Sequence, residues 1–195
     1  MPSFQYESLP EPDSIRFLIL EPSPDHSSPI QCSLIHTTLA ICKNDIIDHY
    51  TALSYVWGDP GASHDILVDG KSFKVTINLF HALGDLRDKV RVRRLWIDAI
   101  CIDQLNIDER NIQVRIMGTI YGRAQHTVIY LGPSTKGIDA LFEELSVVLA
   151  SDQIGSGWDA FEAPPMLQLV REGILSRPWF TRVWIYQELV LSGDP

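Results

Sequence analysis

Apolar residues fall along this chain in short runs separated by polar, proline-rich or glycine-rich breaks. The spacing inside each run predicts an element. After an extended, proline-bearing lead-in over residues 1–14, Ile15–Leu20 (IRFLIL) and Ile30–Ile35 (IQCSLI) predict two strands. The Pro- and Ser-rich loop Glu21–Pro29 joins them, an arrangement suited to an antiparallel ribbon. A polar connection, Lys43–His49, leads into Tyr50–Val56, a half-buried strand that stops at Trp57-Gly58-Asp59-Pro60-Gly61. Ile66–Val75 predicts a hairpin, because Asp69-Gly70 supplies the positive φ angles of a type I′ turn.

Asn78 is the expected cap of a helix reaching Asp88, with Leu79, Leu83 and Leu86 on one face. Arg94–Asp98 is a short apolar strand of the kind covered on both faces. A helix follows over Asp108–Arg123, with the stripe Ile112, Ile116, Met117 and Ile120; Asp108 and Glu109 suit the positive end of its dipole. His126–Leu131 is another buried strand, closed by Gly132-Pro133. Helices are expected over 138–149, 166–175 and 179–191, with a loop over 155–165. Strands alternating with helices from Tyr50 onward predict an α/β domain with a mainly parallel central sheet, to whose edge the first 45 residues add antiparallel strands.

A chain of 195 residues corresponds to roughly one domain. Sixteen Lys and Arg against 25 Asp and Glu leave a net charge of −9, which argues against nucleic acid or an anionic membrane as partner. No apolar run approaches the ~18–20 residues of a membrane helix, and the start lacks the pattern of a signal peptide. Three cysteines without a Cys-x-x-Cys pair suit a reducing compartment, so the expectation is a cytoplasmic domain.

The usual phosphate-binding glycine motifs and the Gly-x-Ser-x-Gly elbow are absent, and the six histidines never fall at metal-ligand spacing, so no metal site is expected. Cys101 reads as a small buried residue rather than a nucleophile. Arg87, Lys89, Arg91, Arg93 and Arg94 read as a solvated helix end beside a strand rather than a phosphate site. Carboxylates are more informative. Asp98 ends a strand, with Asp103 and Gln104 in the same loop, and open parallel sheets bind ligands at the carboxyl ends of their strands. Asp98 either caps the following turn or faces that crevice. Glu109 either satisfies the helix dipole or joins Asp98 there. Glu188 lies in the apolar segment Trp184-Ile-Tyr-Gln-Glu-Leu-Val; it is either the structural partner of Arg177 or Arg182, or functional. Asp98, Glu109 and Glu188 are expected to converge on one crevice, with Trp57, Trp96, Trp179 and Trp184 as core or pocket wall.

Together, five segments resemble the HET (heterokaryon incompatibility) domain of filamentous fungi: Tyr50-x-Ala-Leu-Ser-Tyr-Val-Trp-Gly-Asp59, Leu95-Trp-Ile-Asp-Ala-Ile-Cys-Ile-Asp-Gln104, Glu109-Arg-x-x-Gln113-Val-x-x-Met117 with Ile120-Tyr121, Val128-Ile-Tyr-Leu-Gly132, and Arg177-Pro-Trp-Phe-x-Arg-Val-Trp-Ile-x-Gln-Glu188. One departure is Asp103, where the family more often has Asn. The resemblance covers nearly the whole chain and implies a single domain. Within it, residues 1–45 form a strand ribbon and 46–195 a core similar to the TIR (Toll/interleukin receptor) fold; such domains are modules of longer proteins.

In function, the resemblance implies a death-inducing domain of fungal self/non-self recognition. The segment from Trp184 to Leu189 is similar to the TIR helix that carries a catalytic glutamate, which makes Glu188 the implied catalytic residue of NAD cleavage. Ser54, Trp57, Asp98, Asp103, Glu109, Arg115 and Trp184 are the implied substrate-binding residues. Arg110, Arg115 or Arg182 would meet the pyrophosphate. NAD enters as substrate and no cofactor is expected. The alternative is a non-enzymatic self-association module; either reading implies self-association and an incompatibility or receptor-module partner.

Overall fold

Four of the five residues of strand β3 (Thr51–Tyr55) are buried, so both of its faces are covered, and the fold is described outward from it. The computed structural model describes residues 4–44, 49–150 and 164–193. They divide into two compact units, Met1–Tyr130 with Val183–Pro195, and Leu131–Arg182.

The larger unit is α/β. Its strands are β1 (Ser14–Leu20), β2 (Gln31–Thr38), β3, β4 (Ser63–Val68), β5 (Lys71–Thr76), β6 (Arg93–Trp96) and β7 (His126–Tyr130), in one sheet of order β5-β4-β2-β1-β6-β3-β7. β3 runs parallel to β6, with Ala52 opposite Trp96, and to β7, with Ser54 opposite Ile129, which is the expected parallel trio. The hairpin β4–β5 turns through Asp69 and Gly70 at φ 50° and 72°, as Asp-Gly predicts.

In one respect the sheet differs from expectation. The N-terminal ribbon is not an edge: β1 pairs antiparallel with both β2 and β6, β2 pairs parallel with β4, and the ribbon bridges the trio to the hairpin. The whole sheet is therefore mixed. Six of the seven β1 residues are buried, and so apolar a strand at an edge would expose its ladder and its side chains.

The helices of this unit are α1 (Leu39–Asn44), α2 (Ile77–Leu86), α3 (Asp98–Cys101), α4 (Ile107–Arg123) and, from the returning chain, the short helix at Ile185–Val190. Thr76, not Asn78, caps α2, accepting the Leu79 N–H; Asn78 donates its side-chain amide to the Val56 carbonyl instead. Asn106 caps α4. The buried face of α4 is Glu109, Gln113, Met117, Ile120 and Tyr121, whereas Ile112 is exposed. The helix is thus rotated from its apolar stripe by the polar partners it meets. The Gln113 amide donates to the Ser14 carbonyl, and Arg16, fully buried on β1, forms a two-pronged ion pair with Glu109 at 2.5 and 3.0 Å.

The smaller unit carries α5 (Lys136–Ala150), α6 (Pro164–Leu169), a π-helical stretch (Val170–Leu175) and a 3-10 turn (Pro178–Thr181). Leu141 and Trp179 are buried, and Trp179 meets Phe180 edge-on. The single helix expected over 179–191 is broken, because Arg182 is extended (ψ 147°) and ends the 3-10 turn. The remainder is α7, Ile185–Val190. Most of the loop expected over 155–165 lies outside the described residues.

Two outcomes follow from this packing. Replacing Glu109 by Ala strands the buried Arg16 charge and is expected to lower stability by about 3–5 kcal/mol, read as a reduced urea midpoint; the double variant Arg16→Met/Glu109→Leu should recover much of the loss. Burial pushes the Cys32 and Cys101 thiols up to about 12, whereas Cys42 is only half-buried. A thiol reagent at pH 8 should therefore label Cys42 in the folded protein and reach Cys32 and Cys101 only on unfolding; rapid native labelling of Cys101 would contradict the packing.

Candidate functional site

From β3 the chain passes through the hairpin and α2 to β6 on one side, and from β6 through α4 to β7 on the other. The strand order β6-β3-β7 therefore reverses at β3, and the carboxyl ends of these parallel strands form the edge at which such sheets bind ligands. Ser54, next to last in β3, and Asp98, just after β6, each lie two residues beyond the Ala52–Trp96 pair. These positions place the two groups at neighbouring strand ends.

Ser54 is fully buried, and its hydroxyl donates to a carboxylate oxygen of Glu188 on α7, itself 1% exposed. A hydroxyl orients the carboxylate it binds, and a buried carboxylate requires hydrogen-bonding partners. α7 reaches this position by lying close against α4. A Cβ at Gly118 would come within 2.9 Å of the Leu191 side chain, and one at Gly122 within 3.1 Å of the Leu191 carbonyl.

Asp98 divides its bonds: one oxygen accepts the Trp57 indole N–H at 3.0 Å, and the other accepts the Ala99 N–H at 2.7 Å. It therefore closes the turn and also anchors an aromatic ring. Its backbone carbonyl accepts the Gln104 side-chain amide, which ties the loop back on itself.

Beside Trp57 opens a cleft of about 720 Å³, lined by Trp57, Asp103 and Gln104 on one side and by Phe4, Tyr6 and Phe73 on another. Those three rings meet edge-to-face with centroids 5.0–6.2 Å apart. The lead-in is fixed there: the Phe4 N–H donates to the Ser72 carbonyl, and the Tyr6 hydroxyl to the Ile100 carbonyl. Burial pushes the Tyr6 hydroxyl well above its ordinary range, so it stays a donor. Sequence reasoning missed this aromatic wall, because the lead-in was read only as polar and extended. The available signal was Phe4 and Tyr6, two residues apart and thus on one side of an extended segment.

Of the remaining expected site residues, Glu109 is bound to Arg16 and accepts the Asp103 N–H, so its carboxylate has a structural task. Of the three carboxylates expected to converge, Glu109 bonds to Arg16 and the Asp103 N–H, Asp98 bonds to Trp57 and the Ala99 N–H, and Glu188 accepts from Ser54. Arg110 and Arg115 are exposed on α4, Trp184 is 45% exposed at the start of α7, and Arg182 lies in the smaller unit. In the basic run, Arg87 is buried and donates to the carbonyls of Asp25, His26, Ser28 and Pro29, so it latches the β1–β2 loop. Among the described residues no group of three or more His, Cys, Asp or Glu could hold a metal ion, and no helix is long and apolar enough to cross a membrane.

Comparison with known proteins adds to this geometry. Residues 50–188 match the family model described as heterokaryon incompatibility protein (HET). The chain is similar to heterokaryon incompatibility protein 6, OR allele, of Neurospora crassa, at 32% identity over 240 aligned positions. That alignment covers 98% of this chain and 34% of the relative, so the chain spans about a third of the relative's length. No solved structure matches.

Proposed function

The chain belongs to the HET (heterokaryon incompatibility) family, and on that premise we propose that it is a death-effector domain of fungal non-self recognition that acts by TIR-like cleavage of NAD. It works in the cytoplasm as a module of a longer protein, alongside an incompatibility or receptor-module partner. The observation that carries the reaction is the buried Ser54–Glu188 hydrogen bond at the carboxyl end of β3. In the reaction the C1′–N bond of the nicotinamide riboside breaks and its electron pair leaves on the nicotinamide nitrogen. Water supplies the new C1′–O bond and loses a proton to solvent, giving ADP-ribose, nicotinamide and H⁺. The ribose passes through an oxocarbenium-like cation, which the Glu188 carboxylate stabilises and Ser54 holds in register. Trp57, Asp98 and Asp103 shape the pocket, and Arg110 or Arg115 meets the pyrophosphate.

A second reading has its own observation. While Glu188 points inward, Val183, Trp184, Tyr186, Leu189, Val190 and Leu191 on the same short segment are all exposed. Apolar side chains gathered in this way favour a self-association surface. The two readings are connected, because a carboxylate 1% exposed meets substrate only after its surroundings move, and association at α7 is one source of such movement.

Incubating the 195-residue chain with NAD over a wide protein concentration range, with nicotinamide release as readout, separates them. Release by the parent and a loss of about 10²–10³-fold in Glu188→Gln is the expected result. Glu188→Gln keeps an acceptor for Ser54 and should melt within about 4 °C of the parent. A folded Glu188→Gln that still releases nicotinamide and still kills cells removes Glu188 from the mechanism. Absence of release, together with concentration-dependent assembly lost in Tyr186→Glu, would favour the association module.

A further inference from the structure

A helix packed on a domain ordinarily turns its apolar residues inward and its polar ones to solvent. The segment Val183–Leu191 does the reverse. Its side toward α4 and β3 carries Gln187, Glu188 and Leu191, whereas Val183, Tyr186 and Val190 are more than half exposed. We infer that α7 is a latch over the carboxyl end of β3, which opens as a unit while the sheet stays folded and so controls access to Ser54 and Glu188. The inference deepens the reading of Glu188 as the reacting carboxylate and rests on it for its functional meaning; the opening itself involves no substrate.

Three features keep the docked position shallow in free energy. Docking withdraws the Glu188 carboxylate from water, to 1% exposure, a desolvation that its hydrogen bonds must offset. Docking also leaves Gln187 Oε1 buried with no hydrogen-bond partner among the described residues, a loss that water makes good on opening. Finally, six residues are too few for a helix to persist by itself, so contacts with the rest of the unit must hold it.

Those contacts are few. Gly118 and Gly122, one turn apart on α4, leave room for Leu191; a Cβ at Gly122 would lie 3.1 Å from the Leu191 carbonyl oxygen. From β3, Ser54 donates to Glu188. Past the end of α7, the Ser192 hydroxyl donates to the Thr127 hydroxyl of β7 at 2.8 Å. Thr127 stands opposite Ala52, two residues before Ser54, so the two gripping hydroxyls lie on one face of neighbouring strands. The chain enters α7 through Arg182, extended (ψ 147°) between two helical turns, a position able to absorb the rotation of a hinge. Opening leaves the core intact, because the cluster of buried apolar residues runs from Ile15 to Ala124 and includes none from α7.

Hydrogen–deuterium exchange of the 195-residue chain reads the opening. Amides of α7 should exchange about 100-fold faster than those of β3, or more, because they open locally. Thr127→Val removes one grip without touching Ser54 or Glu188, and should speed exchange in α7 by about fivefold or more while β3 is unchanged. Gln187→Leu removes the orphaned acceptor and should slow it by about threefold or more. In a Cys42→Ser background, the thiol introduced by Ser54→Cys should react with a thiol reagent at a rate that follows these changes. If Thr127→Val fails to fold, Ser192→Ala removes the same bond from the half-buried side. Exchange in α7 as slow as in β3, indifference to Thr127→Val or Ser192→Ala, or faster exchange in Gln187→Leu would overturn the latch. Where the parent releases nicotinamide from NAD, release should be faster in Thr127→Val and slower in Gln187→Leu; release indifferent to both defeats the latch as the control of this site and leaves cleavage standing. Opening as expected, with no release from any variant, defeats the cleavage reading alone.

Discussion

The buried pair between Arg16 and Glu109 is the constraint on which the rest of the larger unit depends. Arg16 is fully buried in the central strand, where a guanidinium must find its partners within the protein. Its two terminal nitrogens are met from three directions, Nε alone of the three having no partner among the described residues: the Glu7 carbonyl in the lead-in, the Cys101 carbonyl after β6, and both oxygens of Glu109 on α4, with the Tyr6 ring 4.9 Å away. One side chain thereby gathers the N-terminal segment, the loop at the end of β6 and the start of α4. A pair of this kind adds little net stability over a well-packed apolar alternative, because desolvation offsets the Coulomb attraction. Its effect is on geometry: only one register of these segments satisfies it.

That geometry builds the strand-end site. Glu109 accepts the Asp103 N–H, so the loop that presents Asp103 and Gln104 is fixed by the same carboxylate that neutralises Arg16. The lead-in bound at Glu7 brings Phe4 and Tyr6 to Phe73 and supplies one wall of the cleft. The rotation of α4 that buries Glu109 and Gln113 also brings Tyr121 edge-on to Trp96, with its hydroxyl donating to the Leu53 carbonyl. Gly118 and Gly122 of the same helix then admit α7, and with it Glu188, against Ser54.

The same dependence explains which features were legible in the sequence. The parallel trio, the Asp-Gly hairpin and the helices between them follow from period and turn chemistry, which are local. The central place of β1 does not, because pairing order depends on how much of each strand must be covered. The polar half of the buried face of α4 is not legible for a related reason. Of its apolar stripe Met117 and Ile120 are buried and Ile116 packs on the core, but Ile112 is exposed and Glu109 and Gln113 take the inner positions, drawn there by β1: Arg16, some 90 residues earlier, pairs with Glu109, and the Ser14 carbonyl accepts from Gln113. A charge inside IRFLIL was the signal that a distant carboxylate must turn inward. The cap at Thr76 shows the same on a smaller scale, since Asn78 was drawn away by the Val56 carbonyl. Trp57, Asp98 and Asp103 were found at the strand ends because their position follows from topology. Phe4, Tyr6 and Phe73 were not, because they meet only once the chain has folded.

The carboxylates of this unit differ in what holds them, and that difference orders their chemistry. Glu109 faces a guanidinium, so its charge is consumed in the fold and cannot stabilise a developing cation elsewhere. Asp98 spends one oxygen on an indole and the other on a backbone amide, which suits it to anchor Trp57 rather than to meet substrate directly. Asp103 is fixed through its backbone N–H and one carboxylate oxygen, in the same cleft lining as Phe4, Tyr6 and Phe73. Glu188 is oriented by a hydroxyl on a six-residue helix whose exposed side is apolar. A helix that short has almost no intrinsic stability, so its docking onto α4 carries most of what holds Glu188 in place. Any contact made on the exposed apolar side of α7 therefore bears directly on the position of the Glu188 carboxylate beside Ser54.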